Sequence, residues 1–344
     1  MKVESLVAFI ILFALILSMA ITHANVATSG SKGTAEQWND DHVIGEMDKP
    51  KNFTTLIVAA SDSLDTTRAD YVCDGIDDQD TINEAIGDLP AGGGRISLLE
   101  GTYVLTDPVV YDKDNVTIQG LGRATIIQTS DDVMMVFAAN RTGLLLQDVR
   151  MIGSGAGNNN NIGIELDTVL YSIIRGCWLE DMGSTALYLD NASNYNLIAN
   201  NIFSSNDDRN IDIVDSGNVV LSGNILDSSG TGDVSVSISN SNNCIVTGNI
   251  VTDADSHGIQ IYGSEYVIVS GNNVRGANAD GLLLTNDSDY CVVSGNTICN
   301  NTAWDIRING PTNDKNLVLG NVMVGTGGGL SDTGTGTVSA NNVV

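Results

Sequence analysis

A short motif repeats along the second half of the chain and constrains the fold more than any other feature. The sequence Val-Leu-Ser-Gly-Asn-Ile at residues 220–225 returns with small changes every 20 to 25 residues. The Asn of the motif marks a register at Asn201, Asn224, Asn249, Asn272, Asn296, Asn321 and Asn341. A unit of this length cannot bury its own apolar side, so each unit must stack on its neighbours.

Each unit also holds a second short apolar segment upstream of the motif. Gly-Ile-Gln-Ile at 258–261 and Asp-Ile-Arg-Ile at 305–308 are two examples. Apolar residues alternate there with a period of two, which predicts strands and not helices. Turns rich in Asp, Asn, Ser and Gly separate the strands. The sequence therefore predicts an all-β chain folded as a single-stranded parallel β-helix, in which each coil adds about 4.8 Å along the axis.

Counting by two from the Asn predicts which residues face the core. The Asn side chains are expected inside, where each amide bonds the next coil and satisfies the backbone at a corner. This structural ladder comprises Asn201, Asn224, Asn249, Asn272, Asn296 and Asn321. The same count places Leu197 and its equivalents inside. The residues between these inward positions are then expected to face outward and to form an aliphatic stripe, which is a candidate surface for self-association. This stripe comprises Ile198, Leu221, Val246, Val269, Val293 and Val318.

Charge limits the partners of the chain. Its 344 residues include 15 Lys and Arg against 42 Asp and Glu, a formal net charge of −27. Such a chain repels a polyanion, which excludes nucleic acid as a partner. Asp supplies 34 of the 42 acids, and Asp is a turn residue, so most of the negative charge is expected in the turns between strands.

The N-terminal region predicts export of the protein and a cap over the first coil. An apolar run from Leu6 to Ile21 and the small residues that follow predict a cleaved signal peptide at 1–24 and a secreted or cell-surface location, with an uncleaved anchor as the alternative. Residues 25–52 form an extension. The β-helix is expected over 53–344, with a cap at about 53–100 and coils at about 101–344. Within the cap, residues 77–89 predict an amphipathic helix that covers the open end of the first coil.

The segments 69–75, 92–96 and 100–103 resemble the start of the pectate-lyase-like, right-handed parallel β-helix superfamily. The later coils resemble the parallel β-helix repeats of the same superfamily, so the resemblance covers about residues 55–344. It implies a right-handed β-helix. It leaves the activity open, because the superfamily includes lyases, hydrolases, epimerases, phage tailspikes and adhesins. Its lyases use a basic residue and usually Ca²⁺ held by acids, and its hydrolases use clustered Asp residues.

One column of turn residues is the candidate site. Aligning the coils places Arg209, His257, Asp280 and either Ala303 or Trp304 at comparable positions before the first strand of each coil. The predicted catalytic residues are His257, Asp280, Asp208 and Arg209. Trp304 and Asp255 are predicted to bind substrate, and Asp207, Asp253 and Asp255 to bind Ca²⁺. The alternative is that all of these are ordinary solvated turn residues.

Two functions follow from this pattern. The favoured hypothesis is an exported surface or virion-like β-helix protein that has a structural, adhesive or glycan-binding role and self-assembles through the stripe and the uncapped C-terminal end. The alternative is a polysaccharide lyase, hydrolase or epimerase acting on an acidic glycan. In both hypotheses the partner is a polysaccharide or a cell-surface glycan.

Overall fold

The computed structural model describes residues 54–228 and 234–344. The predicted signal peptide at 1–24 and the extension at 25–52 lie outside the described residues. Their boundaries therefore stay predictions.

Thirty-one short strands and one helix make up the described chain. The N-terminal elements are β1 (Thr55–Ala59), β2 (Tyr71–Val72), α1 (Asp78–Asp88), β3 (Gly94–Leu98), β4 (Gly101–Val104), β5 (Val109–Tyr111), β6 (Val116–Gln128), β7 (Val136–Ala139) and β8 (Leu145–Ile152). The middle coils contain β9 (Ile164–Asp167), β10 (Ile173–Arg175), β11 (Trp178–Glu180), β12 (Leu187–Asp190), β13 (Leu197–Ala199), β14 (Ile202–Ser204), β15 (Ile211–Val214), β16 (Val220–Ser222), β17 (Ile225–Asp227), β18 (Val236–Ser239), β19 (Ile245–Thr247) and β20 (Ile250–Thr252). The last coils contain β21 (Ile259–Tyr262), β22 (Ile268–Ser270), β23 (Asn273–Arg275), β24 (Leu282–Thr285), β25 (Val292–Ser294), β26 (Thr297–Cys299), β27 (Trp304–Asn309), β28 (Leu317–Leu319), β29 (Val322–Val324), β30 (Gly328–Asp332) and β31 (Val338–Ala340).

The strands stack in register, coil upon coil. Each repeating coil has a first strand such as β15, a second such as β16 and a third such as β17, and all strand pairings between the described coils are parallel. Ten first strands, from β5 to β30, form a ten-stranded sheet. Ile211 pairs with Val236, and Val236 pairs with Ile259, so equivalent residues of successive coils lie side by side. The predicted parallel β-helix is confirmed.

The N-terminal helix covers the apolar end of the coils. Helix α1 packs against β1, β2, β4 and β5. Its inner face carries Ile82 and Ile86, both fully buried, and the following Leu89 is also buried. This confirms the predicted capping helix. No helix among the described residues is long and apolar enough to cross a membrane.

The repeated Asn residues form a continuous hydrogen-bonded ladder inside the coils. Asn249 is representative: its Nδ2 donates to the Leu221 carbonyl at 3.0 Å and to Asn272 Oδ1 at 3.0 Å. Its backbone N–H donates to the same Asn272 oxygen at 2.9 Å. The ladder residues are at most 2 % exposed at Asn201, Asn224, Asn249, Asn272, Asn296 and Asn321. Each amide therefore joins two coils and satisfies buried backbone groups at the corner.

The corner before each Asn reverses the predicted facing of the second strand. Gly223 has φ 67°, a left-handed conformation that turns the chain and breaks the period of two. Leu221 and Asn224 consequently both point inward, although they are three positions apart. The predicted outward stripe is wrong, because its members are at most 1 % exposed at Ile198, Leu221, Val246, Val269, Val293 and Val318. The residues that face outward and are partly exposed are Leu197, Val220, Ile245, Ile268, Val292 and Leu317.

The last rung of the ladder differs from the predicted one by a single position. Asn341 has φ 57° and occupies the left-handed corner that Gly320 holds one coil earlier. Asn342 follows it and accepts the Asn321 side-chain N–H at 3.1 Å. The final coil lacks the Gly of the motif, so the repeat count matched the wrong Asn.

Asp212, Asp280 and Asp305 lie largely buried along the ten-stranded sheet that forms the outer wall. Asp280 belongs to the candidate site below. Asp212 is 7 % exposed; Arg209 Nη1 lies 3.1 Å from its Oδ2, and its Oδ1 has no hydrogen-bond partner among the described residues. Burial raises the pKa of Asp212 above its ordinary value, and the nearby Arg209 charge offsets this only in part.

Replacing a ladder Asn should weaken the fold strongly, whereas replacing its neighbour should not. Asn272→Ala removes the bonds to Val246 and Asn296 and leaves Asn249 without its acceptor. We expect a loss of about 3 kcal/mol or more in the free energy of unfolding, since each unsatisfied buried polar group costs about 1–3 kcal/mol. Asn273→Ala, on the outer side of the next strand, should change stability by no more than about 0.5 kcal/mol. Equal denaturation midpoints for the two variants would contradict the structural role of the ladder.

Replacing Asp212 by Asn should stabilise the protein at neutral pH. An acid whose pKa is raised by folding loses stability as the pH rises from its unfolded value through its folded value. Asp212→Asn should therefore gain about 1 kcal/mol at pH 7, because the neutral amide avoids the cost of burying a carboxylate. The gain should fade toward about pH 2.5, well below the ordinary Asp pKa of about 3.9, where Asp is protonated in both states. Denaturation curves of Asp212→Asn and of the exposed control Asp287→Asn at both pH values test this. A less stable Asp212→Asn at pH 7 would mean that the ion pair with Arg209 outweighs the burial.

Candidate functional site

Three consecutive coils bring an imidazole, a carboxylate and a guanidinium together on the outer wall. His257 and Asp280 lie two residues before the paired positions Ile259 of β21 and Leu282 of β24. Arg307 faces outward from β27, the next strand of the sheet. His257 Nδ1 is 3.3 Å from Asp280 Oδ2, and Arg307 Nη1 is 3.7 Å from the same oxygen. The coil stacking thus builds a charged cluster from residues up to 50 positions apart in sequence.

Asp280 is the centre of this cluster and is fully buried. Its Oδ1 accepts the backbone N–H of Trp304 at 3.1 Å. Its Oδ2 makes no hydrogen bond of normal geometry among the described residues. A buried carboxylate is costly unless cations or donors compensate it. His257 and Arg307 are the groups placed to compensate this oxygen.

His257 can change its protonation state without moving. Its side chain is 18 % exposed, and its Nδ1 accepts the backbone N–H of Asp280 at 3.2 Å. That bond requires the neutral imidazole with its proton on Nε2. In the imidazolium form, Nδ1–H instead faces the Asp280 carboxylate at 3.3 Å. The geometry therefore offers a stabilising partner to both forms, which suits a group that takes up and releases a proton.

Trp304 provides an exposed aromatic surface beside the charged cluster. It occupies the same register position as His257 and Asp280, one coil further on, and is 38 % exposed. Its ring lies against Gly328 of the following coil, where even a Cβ would overlap the ring. Only Gly leaves room for the indole at this place, and the close contact holds the ring in position.

The structure separates the other two predicted catalytic residues from His257. Asp208 and Arg209 belong to the coil of β15, and the coil of β18 lies between them and His257. Two coil steps correspond to about 9.6 Å along the axis. Arg209 instead contacts Asp212 and, at 3.8 Å, Asp208. The predicted set of four is therefore split into two clusters.

The predicted calcium residues do not converge. Asp207 Oδ2 accepts the Gly157 N–H at 3.2 Å, and Asp255 Oδ1 accepts an Asn278 N–H at 3.3 Å. Asp207 also lies two coils from Asp253 and Asp255, about 9.6 Å along the axis. Calcium bonds its oxygen ligands at about 2.3–2.6 Å and cannot bridge that gap. No group of three His, Cys, Asp or Glu side chains able to hold a metal ion occurs in residues 54–228 and 234–344.

Sequence reasoning missed Arg307 and Asp212. Both occupy one outward column of the ten-stranded sheet, which runs through Glu165, Tyr188, Asp212, Ser237, Gln260, Leu283 and Arg307. Burial raises the pKa of Glu165 and raises that of Tyr188 to about 12, so the acidic end of this column is crowded with partly buried carboxylates. Both residues could have been found from the sequence. They are the middle residues of Ile-x-Ile segments, and the alternation of a strand places such residues on the outer face.

One family model matches part of the chain. The family described as periplasmic copper-binding protein (NosD) matches residues 204–341, less than half of the sequence. None of the curated proteins compared matches the chain significantly.

The described residues do not fit a copper centre. Copper sites in proteins are built from His, Cys and Met side chains. Within the described ranges His257 is the single His, and its Nδ1 lies against the Asp280 carboxylate and backbone N–H. The Cys residues of this part form no disulfide, and no group of three or more His, Cys, Asp or Glu side chains that could hold a metal ion occurs there.

Several solved structures share the architecture at low sequence identity. ORF18 of Geobacillus virus E2 is 15% identical with a TM-score of 0.60, covering 78% of this chain and 57% of the viral one, so this chain spans just over half its length. The alginate lyase from Paenibacillus sp. str. FPU-7 is 12% identical with a TM-score of 0.60, over 84% and 99% of the two chains. The periplasmic alginate epimerase AlgG is 13% identical with a TM-score of 0.53, over 74% and 79%.

At such identities a shared fold says nothing of a shared activity. The parallel, in-register coils of this chain nevertheless match the architecture of these proteins. The chain has the right-handed parallel β-helix fold that these proteins share.

Proposed function

We propose that the chain is an exported β-helix protein that binds polysaccharide on its outer wall at Asp280 and its neighbours. The observation that carries the proposal is the convergence of Asp280, His257, Arg307 and the exposed Trp304 from three consecutive coils. An aromatic ring beside charged donors and acceptors matches a sugar, which has apolar C–H faces and hydroxyl edges.

Export is part of the proposal. The matching family and one of the similar structures are named periplasmic, and another is a virus protein. The predicted signal peptide at 1–24 agrees with a location outside the cytoplasm.

An acidic polysaccharide is the first choice of ligand. The side chain of Arg307 is 38 % exposed, so its guanidinium can pair with a carboxylate of the sugar. The names of two similar structures, an alginate lyase and an alginate epimerase, support this choice.

A second candidate function is acid–base chemistry on the bound glycan. The placement of His257 favours it, because its Nδ1 has a partner both as a neutral and as a charged group. In the tautomer that carries its proton on Nδ1, facing Asp280 Oδ2 at 3.3 Å, Nε2 would accept the proton next to a uronate carboxylate, and Asp280 would stabilise the imidazolium formed. Arg307 would balance the charge that develops on the substrate carboxylate.

Binding should depend on Arg307 for acidic polymers and on Trp304 for all polymers that bind. We expect Arg307→Ala to weaken binding of alginate and polygalacturonate about tenfold, the loss of one charge-assisted hydrogen bond. Trp304→Ala should weaken acidic and neutral glycans alike. Arg275→Ala removes the same charge from the exposed end of β23 and serves as the control. Calorimetric titration of folded variants measures this, and equal affinities of Arg307→Ala and Arg275→Ala for every polymer would sink the proposal.

Turnover separates the two candidate functions. If the site is catalytic, alginate or polygalacturonate should yield unsaturated or epimerised products. His257→Ala and Asp280→Asn should then reduce kcat about 100-fold or more, the scale of a lost general base. Arg275→Ala should leave kcat unchanged. Wild-type protein that binds these polymers but forms no product would exclude the catalytic candidate and leave the binding function intact.

A further inference from the structure

Four tyrosines occupy a column of left-handed corners on the far side of the first strands. The position two residues before the second strand holds Tyr171, Tyr195, Asn218, Asn243, Tyr266, Tyr290 and Lys315 in successive coils. All seven have φ between 53° and 61°. In the coils at either end, Gly143 and Gly336 fill the same place, with φ 72° and 67°. The fold therefore accepts Gly or Asn at this corner, and a bulky ring is not needed to form it.

The left-handed backbone of the four tyrosines destabilises the fold by more than the contacts between their rings stabilise it. A bulky residue in the left-handed region is strained by about 1–3 kcal/mol. Tyr171 and Tyr195 stack with centroids 5.0 Å apart, and Tyr266 and Tyr290 stack at 5.1 Å. Such a pair returns only about 0.5–1.5 kcal/mol. All four rings also stay exposed, between 40 and 61 %. Stability alone does not account for aromatic residues at these corners.

The two pairs leave a gap that is two coils wide. Tyr195 and Tyr266 are three coil steps apart, about 14 Å along the axis, and Asn218 and Asn243 lie between them. The outer face of the second pair is covered by Lys315, whose Nζ lies 5.0 Å from the Tyr290 ring. The faces of Tyr195 and Tyr266 that are turned away from their stacking partners therefore border the gap from both sides. Asn218 and Asn243 hold the same corner in the two intervening coils, so their shorter side chains lie between the two rings.

We propose that this gap is a second carbohydrate site, which binds a neutral oligosaccharide between Tyr195 and Tyr266. Aromatic walls suit the C–H faces of pyranose rings, and amides both donate to and accept from hydroxyl groups. Glu265 directly precedes Tyr266 at the C-terminal end of the gap, whereas Asp314, two coils beyond, is ion-paired with Lys315. The Glu265 carboxylate repels a uronate polymer, so the ligand is neutral, unlike the acidic glycan proposed for Arg307.

The site is independent of the cluster around Asp280. Tyr266 follows the first strand β21, whereas His257 precedes it. The two sites therefore lie at opposite ends of the same strands. Loss of one leaves the other in place, and their ligands differ in charge.

Replacement of single tyrosines by Asn tests the proposal, because Asn already occupies this corner in two coils. We expect Tyr195→Asn and Tyr266→Asn to weaken binding of a neutral hexaose, chosen by titrating maltohexaose and cellohexaose, about tenfold. Tyr171→Asn is the matched control: it relieves the same strain and removes the same stack as Tyr195→Asn, but its ring does not border the gap. Its affinity should stay within twofold of the wild type.

A second variant blocks the gap without removing a ring. Asn218→Tyr with Asn243→Tyr should continue the stack and abolish hexaose binding, while alginate binding at Arg307 is retained. Denaturation midpoints separate a binding role from a structural one. The proposal is overturned if neither hexaose binds the wild type, if the filled variant binds as well as the wild type, or if Tyr195→Asn lowers the midpoint and leaves the affinity unchanged.

Discussion

The Asn ladder and the left-handed corner beside it hold the strands of successive coils in one register. Asn272 shows how: its oxygen accepts two N–H groups of Asn249, and its amide donates to Asn296 and to the Val246 carbonyl. A coil that gained or lost a residue between two corners would break several of these buried bonds at once. Insertions are therefore confined to the turns. Residues at the same distance from successive corners then stack about 4.8 Å apart.

Every feature of the outer wall depends on this constancy. His257 and Asp280 meet because 23 residues separate them and each lies two positions before a paired strand residue. Arg307 reaches the same carboxylate from the next strand. Neither contact is local in sequence, and neither is stabilised by a turn of its own. The cluster is a property of the stack, in contrast to Asp212, which finds Arg209 within its own coil.

Repeat counting was enough to predict the coils and the meeting of His257 with Asp280, and the amphipathic pattern of residues 77–89 predicted the capping helix. It failed wherever the phase of a side chain depended on a backbone angle. The positive φ of Gly223 shifts the alternation by one, so Leu221 is buried where the count placed it outside. Arg307 was missed for a related reason. It lies between the two Ile residues of Asp-Ile-Arg-Ile and faces outward, but the alternation shows this only when it is known that the two Ile residues face the core. Asp208 and Arg209 were grouped with His257 although a coil that carries the apolar Val234 at this register lies between them.

The outer wall contains residues that destabilise the fold and that the Asn ladder does not need. Asp280 is a fully buried carboxylate with one oxygen outside any normal hydrogen bond, and Tyr195 is a bulky ring in a strained corner that Asn fills one coil later. A stack that is already closed by its apolar core and its Asn ladder can carry such local penalties, since each is small beside the cooperative loss of a coil. The same division explains why the two kinds of residue are found on different sides of the backbone. The inside is fixed by stacking and hydrogen bonding, and the outside is left open to be specified by what it binds.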